Sequence, residues 1–226
     1  RHRLHRLLKV HRILERDTKE DCLAVLRLMD DIRDSWDMIR ELVDYSAPLG
    51  VKIWVWKAYP DDRGVDGIQT PERLQAFLKK CRETGVAGVK IDYFYDESQQ
   101  VVRFYEDALK EAAKYQLMVD FHGADKPTGL NRTFPNELTR EGIRGLEIRG
   151  PWATHNTILP FTRYLAGPAD FTPVTFSPKR LSETSWCHQV ATAVIFTSPF
   201  LCYGVDPEQL LANPACDMVK SIPAVW

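Results

Sequence analysis

Apolar residues along this chain recur with two spacings, one typical of helices and the other of buried strands. Short β-branched and aromatic runs predict strands at residues 51–56, 88–94, 117–123, 145–148, 169–171 and 199–203. Before and between them, amphipathic segments predict helices at residues 37–45, 72–83, 99–115, 156–165 and 183–196. This alternation predicts an α/β fold with βα units in a parallel sheet.

Two of the predicted helices carry local start signals. Thr70 precedes Pro71 at the start of the second helix, and Ser98 can cap the third helix. Gly85 follows the second helix and is a stop signal, because glycine adopts the left-handed conformation that ends many helices.

Acidic residues stand at the C-terminal ends of three predicted strands. Asp92 lies near the C-terminal end of the second strand, and Asp120 is followed closely by His122 at the end of the third. Glu147 lies in the fourth strand. Charged residues at the C-terminal ends of successive strands are typical of a (β/α) barrel active site. We therefore predict an enzyme with a (β/α)8, TIM-type barrel.

The predicted barrel is incomplete, because about six βα units are recognisable and a closed barrel needs eight. We expect residues 36–226 to form a partial barrel catalytic domain. Residues 1–35 are predicted to be a helical N-terminal segment, although its apolar stripe is loose. The chain begins without Met and closes on an apolar segment, so we expect a piece of a longer protein.

Composition narrows the classes of function. The formal net charge of -1 gives no general attraction to nucleic acid or to an anionic membrane surface. No apolar run approaches the roughly 20 residues of a membrane span, so none is predicted. The 5 cysteines lack CxxC spacing, which argues against a zinc site or a disulfide framework. Residues 85–88 precede a strand, which is not typical of a dinucleotide-binding loop.

The acidic residues suit glycoside hydrolysis. A retaining glycosidase holds two carboxyl groups about 5–5.5 Å apart, one as nucleophile and the other as acid and then base. Asp92 and Glu147 lie two predicted strands apart, so their side chains can converge on one pocket. Rim salt bridges, Asp92 with Lys90 or Glu147 with Arg149, are the structural alternative.

One long segment carries a family resemblance. Residues 119–136 read VDFHGADKPTGLNRTFPN, and residues 138–147 follow as LTREGIRGLE. This block resembles glycoside hydrolase family 97, which comprises bacterial α-glucosidases and α-galactosidases with a calcium-dependent barrel. Residues 88–92, GVKID, and residues 166–172, AGPADFT, resemble family segments in the same order.

The resemblance implies roles for particular residues. Glu147 corresponds to the general acid and Asp92 to the nucleophile of the retaining branch. Inverting members carry a Glu after the strand histidine, where this chain has Gly123, so the resemblance favours a retaining α-galactosidase. Glu141 and Glu147 correspond to ligands of Ca²⁺, the expected cofactor.

The resemblance also implies partners. Lys90, His122 and Lys126 are candidates for contacts with sugar hydroxyls of an α-galactoside or oligosaccharide substrate. A periplasmic or secreted bacterial location is expected by the same resemblance. Trp54 and Trp56, two positions apart on one strand, are predicted to be core residues.

Three alternatives stay open. The family's N-terminal β-sandwich and C-terminal β domain are not recognisable, so the chain is either catalytic or a truncated, non-catalytic fragment of such an enzyme. An α-glucosidase of the same family is the second alternative, because one hydroxyl orientation separates the two sugars. The third is a metal-dependent hydrolase with Asp120 and His122 as transition-metal ligands.

Overall fold

The computed structural model of this chain describes residues 22–26, 36–61, 66–146, 148, 150–205 and 207–223. These residues divide into two compact units, one up to residue 142 and the other from residue 143 onward. No helix in the described ranges combines the length and the apolar character needed to cross a bilayer. The predicted domain boundary after residue 35 stays a prediction.

The first unit contains a parallel sheet of five described strands in the sequential order β1-β2-β3-β4-β5. The strands are β1 Cys22–Leu26, β2 Val51–Ala58, β3 Gly88–Asp92, β4 Met118–Phe121 and β5 Glu137–Arg140. Parallel strands joined in sequence by helices have the order found in a (β/α) barrel. The predicted α/β class with a parallel sheet is confirmed, and so are the three strands predicted first along the chain.

The three longer helices of the first unit form where the sequence predicts them, whereas a short fourth helix and a 3-10 turn were not predicted. They are α1 Trp36–Ser46, α2 Pro71–Thr84, α3 Gln99–Lys114 and the short α4 Leu130–Thr133, with a 3-10 turn at Ala47–Leu49. The Thr70 hydroxyl accepts the Arg73 N–H at 3.4 Å, and the Ser98 hydroxyl accepts the Val101 N–H at 3.3 Å. Both predicted start signals are therefore confirmed, and each hydroxyl satisfies a backbone donor that the helix leaves unpaired.

Apolar burial holds these layers together. Helix α1 contacts β2, and α3 contacts β4. Leu78 of α2, Leu109 of α3 and Val89 of β3 are all 0% exposed. Each such side chain contributes roughly 1.5–3 kcal/mol to folding. The helices and the sheet thus share one core, which leaves the opposite face of the sheet for polar residues.

Several predicted elements differ in the structure. Cys22–Leu26 is a strand parallel to β2, so the helical prediction is wrong there, and the rest of residues 1–35 lies outside the described part. The fourth strand is also misplaced: Glu137–Arg140 forms β5, whereas Gly145, Leu146 and Ile148 lie in turns and irregular structure. Strands predicted at residues 169–171 and 199–203 are irregular as well.

The regular secondary structure among the described residues of the second unit is helical. Its helices are α5 Trp152–Ile158, α6 Pro178–Leu181, α7 Trp186–Ile195, α8 Pro207–Ala212 and α9 Cys216–Ser221, with 3-10 turns at Leu159–Phe161 and Arg163–Ala166. One apolar cluster surrounds Phe171 and Phe196, and another surrounds Val190 and Val219. The apolar runs read as strands from sequence therefore pack between short helices.

Candidate active site

Polar side chains from neighbouring strands share one face of the sheet in two rows. The first row consists of register partners on β2 to β5, namely Trp56, Lys90, Asp120 and Thr139. Side chains two positions further along a strand point to the same face, one step nearer its C-terminal end. That second row consists of Ala58, Asp92, His122 and Glu141. The parallel register thus brings together most of the predicted site.

Asp92 ends β3 with a donor on each carboxylate oxygen. The Trp56 indole Nε1–H donates to Oδ2 at 2.8 Å, and the Tyr93 backbone N–H donates to Oδ1 at 2.6 Å. Tyr93 has φ +70°, a left-handed conformation that is uncommon for a residue other than glycine. Asp92 itself is only 5% exposed. These two donors fix the orientation of the carboxylate, as a positioned nucleophile requires.

Gly123 leaves space beside Asp92 that another residue would fill. Its φ is +59°, and an added Cβ would lie 3.1 Å from Asp92 Oδ1 and 3.2 Å from the Tyr93 nitrogen. Both the backbone conformation and the close approach therefore favour glycine here. A longer acidic side chain at this position would crowd the Asp92 carboxylate.

Lys90 and Asp120 form an ion pair in the first row, two positions before Asp92 along the strand direction. Lys90 Nζ lies 3.3 Å from Asp120 Oδ2, and the side chains are 9% and 0% exposed. An ammonium group has three N–H donors, which suits contacts with both a carboxylate and a sugar hydroxyl. The predicted substrate contact of Lys90 is therefore compatible with its pairing.

His122 and Glu141 form a second polar pair. His122 Nε2 lies 3.3 Å from Glu141 Oε1, and the Gly123 backbone N–H donates to Glu141 Oε2 at 2.7 Å. The alternative in which Asp120 and His122 both ligate one transition metal stays a prediction.

Glu141 is the described member of the predicted calcium ligands. A carboxylate group offers two oxygens with several lone pairs, and Ca²⁺ prefers oxygen ligands. The Glu141 side chain is 12% exposed, so its oxygens are sheltered without being sealed in an apolar core. Its chemistry and position therefore fit the role that the family resemblance implies.

Arg140 anchors the strand and the loop around these residues. Its Nε donates to Glu137 and its Nη1 to Asp125, both at 2.5 Å. The guanidinium also lies 4.7 Å from the Tyr105 ring centroid and 5.2 Å from that of Phe121. Asp125 belongs to the loop after β4, so Arg140 ties β5 to the segment that carries Gly123 and the exposed Lys126.

The structure changes the interpretation of Trp56, and it does not describe Glu147. Trp54 is a core residue, as predicted, with 1% exposure. Trp56 is half-buried and bonds to Asp92, which makes it part of the site. The two tryptophans differ in their register partners on β3, because Trp56 lies opposite Lys90 and Trp54 lies opposite Gly88. Glu147, the predicted acid and calcium ligand, lies outside the described residues, so its role stays a prediction.

Comparison with known proteins gives consistent matches. A sequence model of the family described as Glycoside hydrolase 97 matches residues 24–143. A probable retaining alpha-galactosidase from Streptomyces bingchenggensis is 37% identical over 195 residues, 85% of this chain and 29% of that protein. A retaining alpha-galactosidase from Bacteroides thetaiotaomicron is 32% identical over 210 residues, 83% of this chain and 30% of that protein.

Solved structures give a match in the fold as well. A variant of a Glycoside Hydrolase Family 97 enzyme from Pseudoalteromonas sp. strain K8 superposes with a TM-score of 0.70 at 27% identity. The match covers 88% of this chain and 36% of that enzyme. The chain thus spans about a third or less of the length of each of these proteins. Because the family match covers more than half of the 226 residues, this chain belongs to glycoside hydrolase family 97.

Proposed function

We propose that the full-length protein is a retaining α-galactosidase in which Asp92 is the nucleophile and Glu147 is the general acid and base. The observation that carries this proposal is the position of Asp92, oriented by Trp56 and Tyr93 next to Gly123. Two curated relatives named retaining alpha-galactosidases, from different bacteria, support galactose as the sugar. Gly123 supports the retaining mechanism, because a base-bearing side chain there would crowd Asp92.

In the first step, one Asp92 oxygen attacks the anomeric carbon while the glycosidic C–O bond breaks. The Glu147 carboxyl proton passes to the departing oxygen, so the leaving sugar departs as a neutral alcohol. In the second step, Glu147 takes a proton from water, and the water oxygen attacks the same carbon. The bond between that carbon and Asp92 breaks as the water oxygen attacks, so the Asp92 carboxylate is restored.

The other site residues bind and position the substrate. Lys90 and His122 share the face of the sheet on which Asp92 lies, so both can contact hydroxyl groups of the bound sugar. Lys126 is exposed in the loop after β4 and can reach solvent-facing hydroxyls. Glu141 and Glu147 would hold Ca²⁺, which when bound supplies positive charge near the acid.

The test replaces Asp92 by Gly in the full-length protein and measures release from aryl α-galactoside, with sodium azide as an external nucleophile. We expect hydrolysis to be abolished, and azide to restore turnover with β-galactosyl azide as the product. Asp66→Gly, which removes an exposed loop carboxylate, is the matched control and should keep the parent activity. Thermal unfolding of each variant verifies that it folds.

Three outcomes separate the alternatives. Full activity of Asp92→Gly, or a folded Asp92→Gly variant without azide rescue, would contradict the nucleophile assignment. Faster turnover of aryl α-glucoside by the unmodified protein would favour an α-glucosidase. Equal rates with calcium and with a chelator would contradict the proposed calcium dependence.

A further inference from the structure

Three aromatic rings lead outward from Asp92. Trp56, which donates to the carboxylate, meets the Tyr93 ring edge to face at a centroid distance of 5.3 Å. The Tyr93 ring stacks on Tyr95 with centroids 5.9 Å apart and planes 10° apart. Tyr95 is 68% exposed. The series therefore starts at the proposed nucleophile and ends in solvent.

The backbone keeps these rings out of the core. Phe94, between the two tyrosines, is 7% exposed and stacks on Tyr59 at 4.8 Å. Tyr93, which precedes Phe94, has the left-handed φ of +70°. Such backbone conformations cost free energy at residues other than glycine and are concentrated at functional sites.

An aromatic face next to a glycosidase carboxylate suits a pyranose ring, whose axial C–H groups form an apolar patch that can cover the ring's π face. The terminal galactose must lie over Asp92, because Asp92 attacks its anomeric carbon. A ring at the solvent end of the series is placed for the next sugar, which extends away from the cleaved bond.

We infer that Tyr95, supported by Tyr93, binds the leaving-group sugar of an oligosaccharide substrate. This inference rests on the proposed function, since it takes Asp92 as the point of cleavage. It identifies the preferred substrate as an α-galactoside with a second sugar ring, in preference to galactose carried on a small leaving group.

The test measures equilibrium binding to full-length protein with Asp92→Asn, which prevents turnover during titration. Galactose and melibiose, a disaccharide with terminal α-galactose, are titrated by calorimetry. We expect melibiose to bind about tenfold more tightly than galactose, which corresponds to burial of roughly one ring face. Tyr95→Ala should abolish this preference for melibiose, and Tyr95→Phe should retain it. Tyr45→Ala, at a tyrosine on α1 that is 45% exposed, is the matched control and should also retain it.

An unchanged melibiose-to-galactose affinity ratio in Tyr95→Ala would overturn the inference. So would equal affinity for the two sugars in the Asp92→Asn protein with Tyr95 intact. Hydrolysis of α-galactosyl fluoride by protein with intact Asp92 tests the proposed function separately. Its leaving group is a fluoride ion, which has no ring to stack on Tyr95. If the fluoride is hydrolysed but Tyr95→Ala leaves the melibiose-to-galactose affinity ratio unchanged, only the role of Tyr95 is refuted. The expected ratio without fluoride turnover would refute the proposed function alone.

Discussion

Replacement of Arg140 by Ala is expected to destabilise the protein strongly. The Arg140 side chain is 1% exposed, and its partner Glu137 is 4% exposed. The substitution leaves a buried carboxylate without its cation, and it also frees Asp125, which is 16% exposed. Removal of one partner from a buried ion pair costs roughly 3–5 kcal/mol. The guanidinium contacts with the Tyr105 and Phe121 rings add to this loss.

Chemical denaturation followed by circular dichroism measures the free energy of unfolding of each variant. We expect Arg140→Ala to lower it by about 4 kcal/mol, and the melting temperature to fall by roughly 8–16 °C. Arg140→Lys keeps the charge but loses the planar fork that reaches two carboxylates, so an intermediate loss is expected.

Arg73→Ala is the matched control, because its ion pair with Asp61 at 2.7 Å is about half exposed on both sides. Exposed ion pairs contribute little to stability, so the control should unfold close to the parent protein. Equal destabilisation by Arg140→Ala and Arg73→Ala would refute the reasoning. It would mean that burial of the Arg140 network does not set the free energy of unfolding.

Two further predictions test the site and the core. Gly123→Ala should lower the free energy of unfolding by roughly 1–2 kcal/mol and reduce kcat, because the new Cβ strains the backbone and crowds Asp92. Gly129→Ala, at φ +93° with open space around it, should lose similar stability but keep kcat, and equal kcat values for the two variants would contradict the crowding argument. Iodoacetamide at pH 8 should label exposed Cys187 before Cys81, since burial raises the pKa of the Cys81 thiol, and mass spectrometry that finds Cys81 modified first would reverse this expectation.

The elements that the sequence predicts correctly are those set by local interactions. Thr70 and Ser98 cap helices through hydrogen bonds to residues three positions away. Strands β2, β3 and β4 lie in short runs rich in β-branched and aromatic residues, which predict strands from the local sequence. The acidic ends of β3 and β4 follow from the same runs, so Asp92 and Asp120 were identifiable as candidate site residues from sequence.

The elements that the sequence predicts wrongly depend on partners distant along the chain. Strand β5 carries Glu137 and Arg140, whose charges argue against a buried strand until their ion pair is seen. The apolar run at residues 199–203 packs against a helical cluster in the second unit, where its apolar character is satisfied without a sheet.

The sequence by itself therefore determined the α/β class, the capped helices and the carboxylates at the strand ends, since these depend on spacing and on neighbouring residues. Only the tertiary structure decided that Trp56 turns to Asp92 while Trp54 packs in the core. It also decided that Gly123 lies against the Asp92 carboxylate. Both contacts arise from the register of parallel strands, and register is set by the packing of the whole sheet.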